Sequence, residues 1–110
     1  MDEGGIKRGY WKEYYIDSLL RAEGEYDEGQ RIGEWKFYFK DGKMEQHGKY
    51  YKGEKPEGKW TWFHENGNVW REEFFQNGME HGLLVEYDDT GKSVSKGEFL
   101  YGEREGIWSY

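Results

Sequence analysis

The glycines of this chain fall on a lattice, and that lattice restricts the fold more than any other feature. Gly9, Gly33, Gly58, Gly82 and Gly106 are spaced 24, 25, 24 and 24 residues apart. Nine residues after each of the first four comes a second mark, at Ser18, Gly42, Gly67 and Gly91; six residues later comes a third, at Gly24, Gly48, Glu73 and Gly97. A fourth follows at Gly29, Gly53, Gly78 and Gly102, with Gly5 as its forerunner, so only Gly4 of the 17 glycines lies outside the pattern. A fixed period of this length marks a repeat array, whose units bury their apolar surface by stacking on their neighbours.

The aromatic residues keep the same period. Trp11, Trp35, Trp60, Leu84 and Trp108 stand two residues after the first mark, Tyr14, Tyr38, Phe63 and Tyr87 five after it, and Tyr26, Tyr50, Phe75 and Phe99 two after the third. One unit therefore reads GxWxx[YF], a turn, then Gx[YF]xxGxxxG. The units run 9–32, 33–57, 58–81 and 82–105, with partial units at 1–8 and 106–110, inside a single domain of 110 residues. The longer second unit holds one extra residue in "GEKPEG", where Pro56 is expected to stiffen a connecting loop.

Asp41-Gly42 and Asn66-Gly67 are strong hairpin signals, because a type I′ turn needs positive φ at both central residues; Asn77-Gly78 repeats the signal. Each unit is thus expected to be two short antiparallel strands. The chain as a whole becomes an all-β, elongated, single-layer antiparallel meander of about nine strands, roughly 40 Å long at the usual strand spacing. Two-residue loops would set Trp35 opposite Gly48, Trp11 opposite Gly24 and Leu84 opposite Gly97, and Tyr26, Tyr50, Phe75 and Phe99 opposite Gly9, Gly33, Gly58 and Gly82. A ring folded across a strand glycine covers backbone that would otherwise be bare.

Composition alone would place the chain among disordered proteins, since 35% of its residues are charged and its net charge is −7. Its 20% aromatic content says otherwise: the core is made of rings and not of aliphatic side chains. There is no cysteine, which excludes disulfides and thiolate metal sites. Acidic and basic residues are interleaved, and the negative balance opposes binding to nucleic acid or anionic lipid. The N-terminus "MDEGGIKRGY" has no apolar stretch and no run is long enough to span a membrane, so a cytoplasmic location is expected.

The stretch "GEYDEGQRIGEWKFYFKDG", residues 24–42, resembles the MORN repeat, whose outline is GEWxxGxxxGxGxxxYxxGx. The 24-residue spacing, with Trp35 and Trp60 where the commoner repeat has glycine, is similar to a bacterial variant grouped with YwqK-like antitoxins. The resemblance covers residues 5–110. It implies an open antiparallel sheet used as a docking surface or dimerisation scaffold, with an antitoxin role as one form of this; some relatives are proposed to bind phospholipid. Ser18, Glu73 and Leu84 depart from the pattern, each replacing a lattice residue.

Little in the chain reads as chemistry. His47, His64 and His81 do not converge in the expected register, so no metal site is expected, and no cofactor motif is present. Glu13, Glu45, Glu72, Glu73 and Glu86 include no evident acid and base pair, because a one-layer sheet has no water-excluding pocket to raise one of them; no enzymatic activity is expected. The glycines of the GxxxG connections join strands, so they are turn formers and not phosphate cradles. Tandem aromatic hairpins also occur in modules that bind choline or glucan in cell walls, and Trp62 and Trp70 offer a foothold for lipid. Ligand or lipid binding is therefore the alternative to protein binding.

Off-lattice aromatics are the candidate contact residues. Phe37, Phe39, Trp62, Trp70 and Phe74 cluster in the two central units, where outer units carry charges such as Glu13, Glu86 and Asp88. They serve either as partner anchors or as a thicker middle of the core. The expected edge strands are open, and open edges recruit strands, from a protein partner or from another copy.

Overall fold

A computed structural model describes residues 5–109. Nine strands follow one another: β1 (Gly9–Tyr14), β2 (Leu20–Asp27), β3 (Gln30–Tyr38), β4 (Met44–Tyr51), β5 (Lys55–Phe63), β6 (Val69–Gln76), β7 (Met79–Tyr87), β8 (Ser93–Leu100) and β9 (Glu103–Ser109). They form one antiparallel sheet in sequence order, an open meander whose principal extents are 51 × 32 × 16 Å. All seven expected cross-strand pairs are present, from Trp11 opposite Gly24 to Phe99 opposite Gly82.

The turns that produce this register differ from the expected ones. Asn77-Gly78 is a two-residue turn with both φ angles positive, as are Glu28-Gly29 and Tyr101-Gly102. At Asp41-Gly42 and Asn66-Gly67, however, only the glycine is left-handed. The Phe39 N–H donates to the Lys43 carbonyl and the Gly42 N–H to the Phe39 carbonyl, so the loop has three residues, a type I turn closed by a left-handed glycine. Asp41 keeps an ordinary φ because its carboxylate accepts the Lys43 N–H, a local bond that a type I′ turn does not need. The register survives because the ladder then shifts by one between the Phe37–Gln46 and Tyr38–Met44 pairs, skipping Glu45. One extra loop residue and one bulged residue cancel. The same compensation recurs in the other units, where the skipped residues are Arg21, Trp70 and Val94.

The first-mark glycines have a different role from the expected one. Gly33 sits at φ +67° and a Cβ there would meet nothing within 4 Å, so no ring lies on it. It opens a two-residue bulge: the β2–β3 ladder passes from the Gly24–Trp35 pair to Glu25–Ile32, leaving Gly33 and Glu34 out. Ring cover falls instead on the third-mark glycines, and it comes from the following strand. A Cβ on Gly24 would lie 2.3 Å from the Trp35 indole, one on Gly48 2.0 Å from Trp60, and one on Gly97 2.0 Å from Trp108. The expected partners Trp11, Trp35 and Leu84 are opposite in register but do not supply the cover. The indole N–H of Trp35 donates to the Glu25 carbonyl at 3.0 Å and that of Trp60 to the Lys49 carbonyl at 3.2 Å, which fixes each ring flat over its glycine.

Pro56 also lies elsewhere than expected. It belongs to β5, opposite Tyr50, and the extra residue of the long unit is taken up in the three-residue loop Lys52 to Glu54. Pro56 has no N–H to offer the ladder, but its carbonyl accepts the Gly78 N–H, as the Lys7 carbonyl accepts that of Gly29 and the Glu80 carbonyl that of Gly102. Consecutive hairpins are tied at this side. At the other side the Tyr15 hydroxyl donates to the Tyr38 carbonyl, and His64 Nε2 lies 2.9 Å from the Tyr87 carbonyl.

Alternation along the strands divides the side chains between two faces. One face carries Trp11, Trp35, Trp60, Trp62 and Trp108 with Tyr26, Tyr50, Phe75 and Phe99, and the fully buried Trp35 lies there with Ala22 and Tyr26 around it. Full burial of an indole contributes roughly 4–6 kcal/mol of transfer free energy as an upper figure, which a sheet this thin otherwise lacks. The opposite face carries Tyr38, Phe63 and Tyr87 among paired charges: Tyr38 donates to Glu23, Tyr87 donates to Glu72, and Lys59 pairs with Glu72 at 2.7 Å.

Candidate functional site: an aromatic cup on the tryptophan face

In the middle units the tryptophan face changes character. The position four residues after the bulge glycine is Glu13, Phe37, Trp62 and Glu86 in successive units, so the two central units present rings where their neighbours present carboxylates. Phe37 stacks on Trp35 with ring centres 6.1 Å apart, and Trp62 on Trp60 at 6.2 Å. Both are half-buried. Tyr50 meets Trp60 edge to face at 5.0 Å and 74°, and Phe75 does so from the other side at 6.5 Å and 80°. Tyr50, Trp60, Trp62 and Phe75, with Gln46 and Pro56, line a small depression of about 140 Å³. A larger groove of about 520 Å³ crosses the opposite face, but its walls include the Lys59–Glu72 pair together with Glu34, His47, Lys49 and Glu57.

The five candidate contact residues do not form one patch. Phe37 and Trp62 share the tryptophan face. Phe74, which is 39% exposed, pairs with Lys59 on the opposite face and packs against Gly82. Trp70 is the residue skipped by the β5–β6 ladder, its ring 6.3 Å from that of His64. Phe39 closes the three-residue loop of the second unit. Sequence reasoning missed Gln46 and Pro56, whose place at the cup follows only from the pairing of β4 with β5 on the structure.

Charges frame the cup. Upstream, Glu13 binds Arg31 at 3.1 Å and accepts the Tyr26 hydroxyl. Burial alone would raise the Glu13 carboxyl, but the hydrogen bonds from Tyr26 and Arg31 together outweigh it and hold it below the usual range. Tyr26 is correspondingly pushed up to about 12 by burial and by that carboxylate. Downstream, Arg71 lies over Trp62 at 5.5 Å and reaches Glu73 at 2.9 Å and Glu86 at 3.7 Å. Glu73 is only 3% exposed, and burial, with Glu80 beside it, pushes its carboxyl up to about 7 against the pull of Arg71. Among the described residues, no group of three or more His, Asp or Glu is arranged to hold a metal ion.

An open sheet of ring-covered hairpins, with an apolar cup in a charged surround, defines a repeat protein whose candidate site lies on the sheet surface. The family described as MORN repeat variant matches residues 31–52 and 56–77, the two units that build the cup. Those two stretches are similar to MORN repeats of this variant type, as the stretch from 24 to 42 led one to expect. No curated protein matches the chain. MORN repeats are generally non-enzymatic interaction or membrane-binding modules.

Proposed function

We propose that the protein is a non-enzymatic module that binds a protein partner through the tryptophan face of its two central units. The observation that supports this reading most is the exchange of carboxylates for rings at Phe37 and Trp62, which leaves half-buried aromatic surface on this face, with Trp62 at the wall of the depression and charges outside it. An apolar centre within a polar rim is the usual anatomy of a binding surface, and Trp and Tyr are the residues that most often anchor one. The net charge of −7 favours a neutral or basic partner over anionic lipid or nucleic acid. An antitoxin role is one form of this reading, with a toxin as the partner; it comes from the family resemblance alone.

The test is capture of the partner with the wild-type protein, identification, and reconstitution from the two purified components. A complex of defined stoichiometry by light scattering is expected, weakened at least tenfold by Trp62→Ala while far-UV circular dichroism reports an intact sheet. Tight binding to choline, glucan or liposomes, with no purified protein forming a complex, would reverse the reading.

A further inference from the structure

The residue two before each bulge glycine is Lys7, Arg31, Pro56, Glu80 and Arg104 in turn. Three of these are cations, and each lies over the tryptophan four residues further on. Lys7 Nζ is 5.2 Å from the Trp11 ring centre, Arg31 Cζ is 4.7 Å from that of Trp35, and Arg104 Cζ is 4.4 Å from that of Trp108. Each seat pairs the indole with a second ring at right angles: Tyr26 with Trp35 at 5.1 Å and 82°, Phe99 with Trp108 at 5.0 Å and 86°. At Trp60 the ring pair has nearly the same geometry, with Tyr50 at 5.0 Å and 74°, but the residue at the cation position is Pro56. Among the described residues no cation stands over the Trp60 ring; that ring is itself only 3% exposed, and the 140 Å³ cup beside it presents Tyr50, Trp62 and Phe75.

We infer that this cup is a seat for an arginine side chain of the partner protein. The inference rests on the interaction reading above and names what the partner brings. Ring faces present negative quadrupoles that attract a cation, and a planar guanidinium lies against indole as Arg31 and Arg104 already do on this sheet. Of the chain's own cations near the cup, Arg71 stands over Trp62, where Glu73 and Glu86 engage it, and Arg31 reaches Tyr50 from its own seat over Trp35, where Glu13 holds it. Glu80, opposite Phe75 across the strands, adds a carboxylate on this face of the sheet that could meet a cation. The carboxylate that holds Arg31 in its seat is Glu13, and the residue one unit on, in the same relation to Pro56, is Phe37. The central seat therefore lacks both halves of the internal ion pair while retaining the rings.

The lattice itself supplies the blocking variant. Pro56→Arg places the missing cation in the seat, and Phe37→Glu with Pro56→Arg transplants the whole Glu13–Arg31 pair as a second route to the same end. Acetyl-tetraarginine amide is the probe, with acetyl-tetracitrulline amide as its uncharged counterpart, followed by the indole Nε1–H resonances of Trp60 and Trp62. The arginine peptide is expected to shift both signals and the citrulline peptide neither. Binding should fall at least tenfold in Pro56→Arg and in the double variant. It should change less than twofold in Ser93→Arg, which adds the same charge at an exposed site on the opposite face beside Tyr87. Undiminished binding in the two blocked variants, equal binding of the citrulline peptide, or shifts produced by tetramethylammonium ion but not by the arginine peptide would each overturn the inference. A partner complex that tolerates Pro56→Arg yet is lost in Trp62→Ala would leave the interaction reading standing and remove the arginine seat.

Discussion

Leu84 stands opposite Glu73 on the tryptophan face, in the one pairing where the lattice has neither its tryptophan nor its glycine. Elsewhere the following strand lays an indole over a glycine, as Trp60 does over Gly48. Here a shorter side chain on β7 leaves room for a carboxylate on β6, so the two departures are one exchange. Leu84→Trp alone should press an indole onto the Glu73 side chain and destabilise by about 1–3 kcal/mol. Combined with Glu73→Gly it should regain most of that loss, with a coupling of at least about 1 kcal/mol in urea denaturation. Additive effects would show that the two positions do not share the space.

Glu73 also sets a direction for the pH dependence. Its carboxyl, buried beside Glu80 and facing Arg71, is pushed up to about 7 in the folded protein from an ordinary value of 4.5. Between those values the folded state holds a proton that the unfolded state has released, so stability declines as pH rises through the window and levels off above it. The decline is expected to be on the order of 2 kcal/mol, and Glu73→Gln should abolish it in melts taken at pH 5 and pH 8. A wild-type profile as flat as that of the variant would contradict the assignment.

Two glycines of the lattice should fail for different reasons. In Gly48→Ala the new Cβ would sit 2.0 Å from the Trp60 indole, and moving that ring should cost about 2–3 kcal/mol. Gly33 has open space around it but a φ of +67°, so Gly33→Asn, which tolerates that conformation, should cost under about 1 kcal/mol. Chemical denaturation of both variants measures the difference.

The Glu13 network should matter in acid. Its carboxyl is held below its ordinary value once Tyr26 and Arg31 have outweighed burial, and Glu72 is likewise held down by Lys59 and then Tyr87, against burial. Stability from such groups is present above about pH 4.5 and is lost as pH falls through the lowered folded value. Glu13→Gln should reduce this acid-side loss and lower stability at pH 6 by about 1–2 kcal/mol, because the Arg31 guanidinium is left with a weaker acceptor. Melts between pH 3 and pH 6 decide it.

The period of the glycines made the nine strands and their register legible in the sequence. The glycines conceal two separate requirements, however. Gly33 is small because its backbone is left-handed, Gly48 because an indole lies on it, and the one-letter pattern is the same for both. The loop at Asp41-Gly42 is one residue longer than its dipeptide suggests, yet the register is unchanged, since the longer loop and the bulge at Glu45 cancel. The cup was less legible. Trp62 and Phe37 stand out as rings among charges, but Gln46 and Pro56 join them only through cross-strand pairing, and Phe74 faces away because strand alternation puts it there. Pro56 carried its signal in its lattice position, two before the bulge glycine, where cations stand in three other units.

Cover that always comes from the following strand gives the sheet a grain, as in overlapping tiles. Strip the last tile and bare backbone shows: without β9, Gly97 loses the Trp108 ring that lies over it. Strip the first ones and the reverse happens: without β1 and β2, Trp35 keeps its own strand but loses the glycine beneath it, and its underside meets water. The two ends of such an array are chemically unlike, so adding or removing a hairpin at one end is a different operation from doing so at the other.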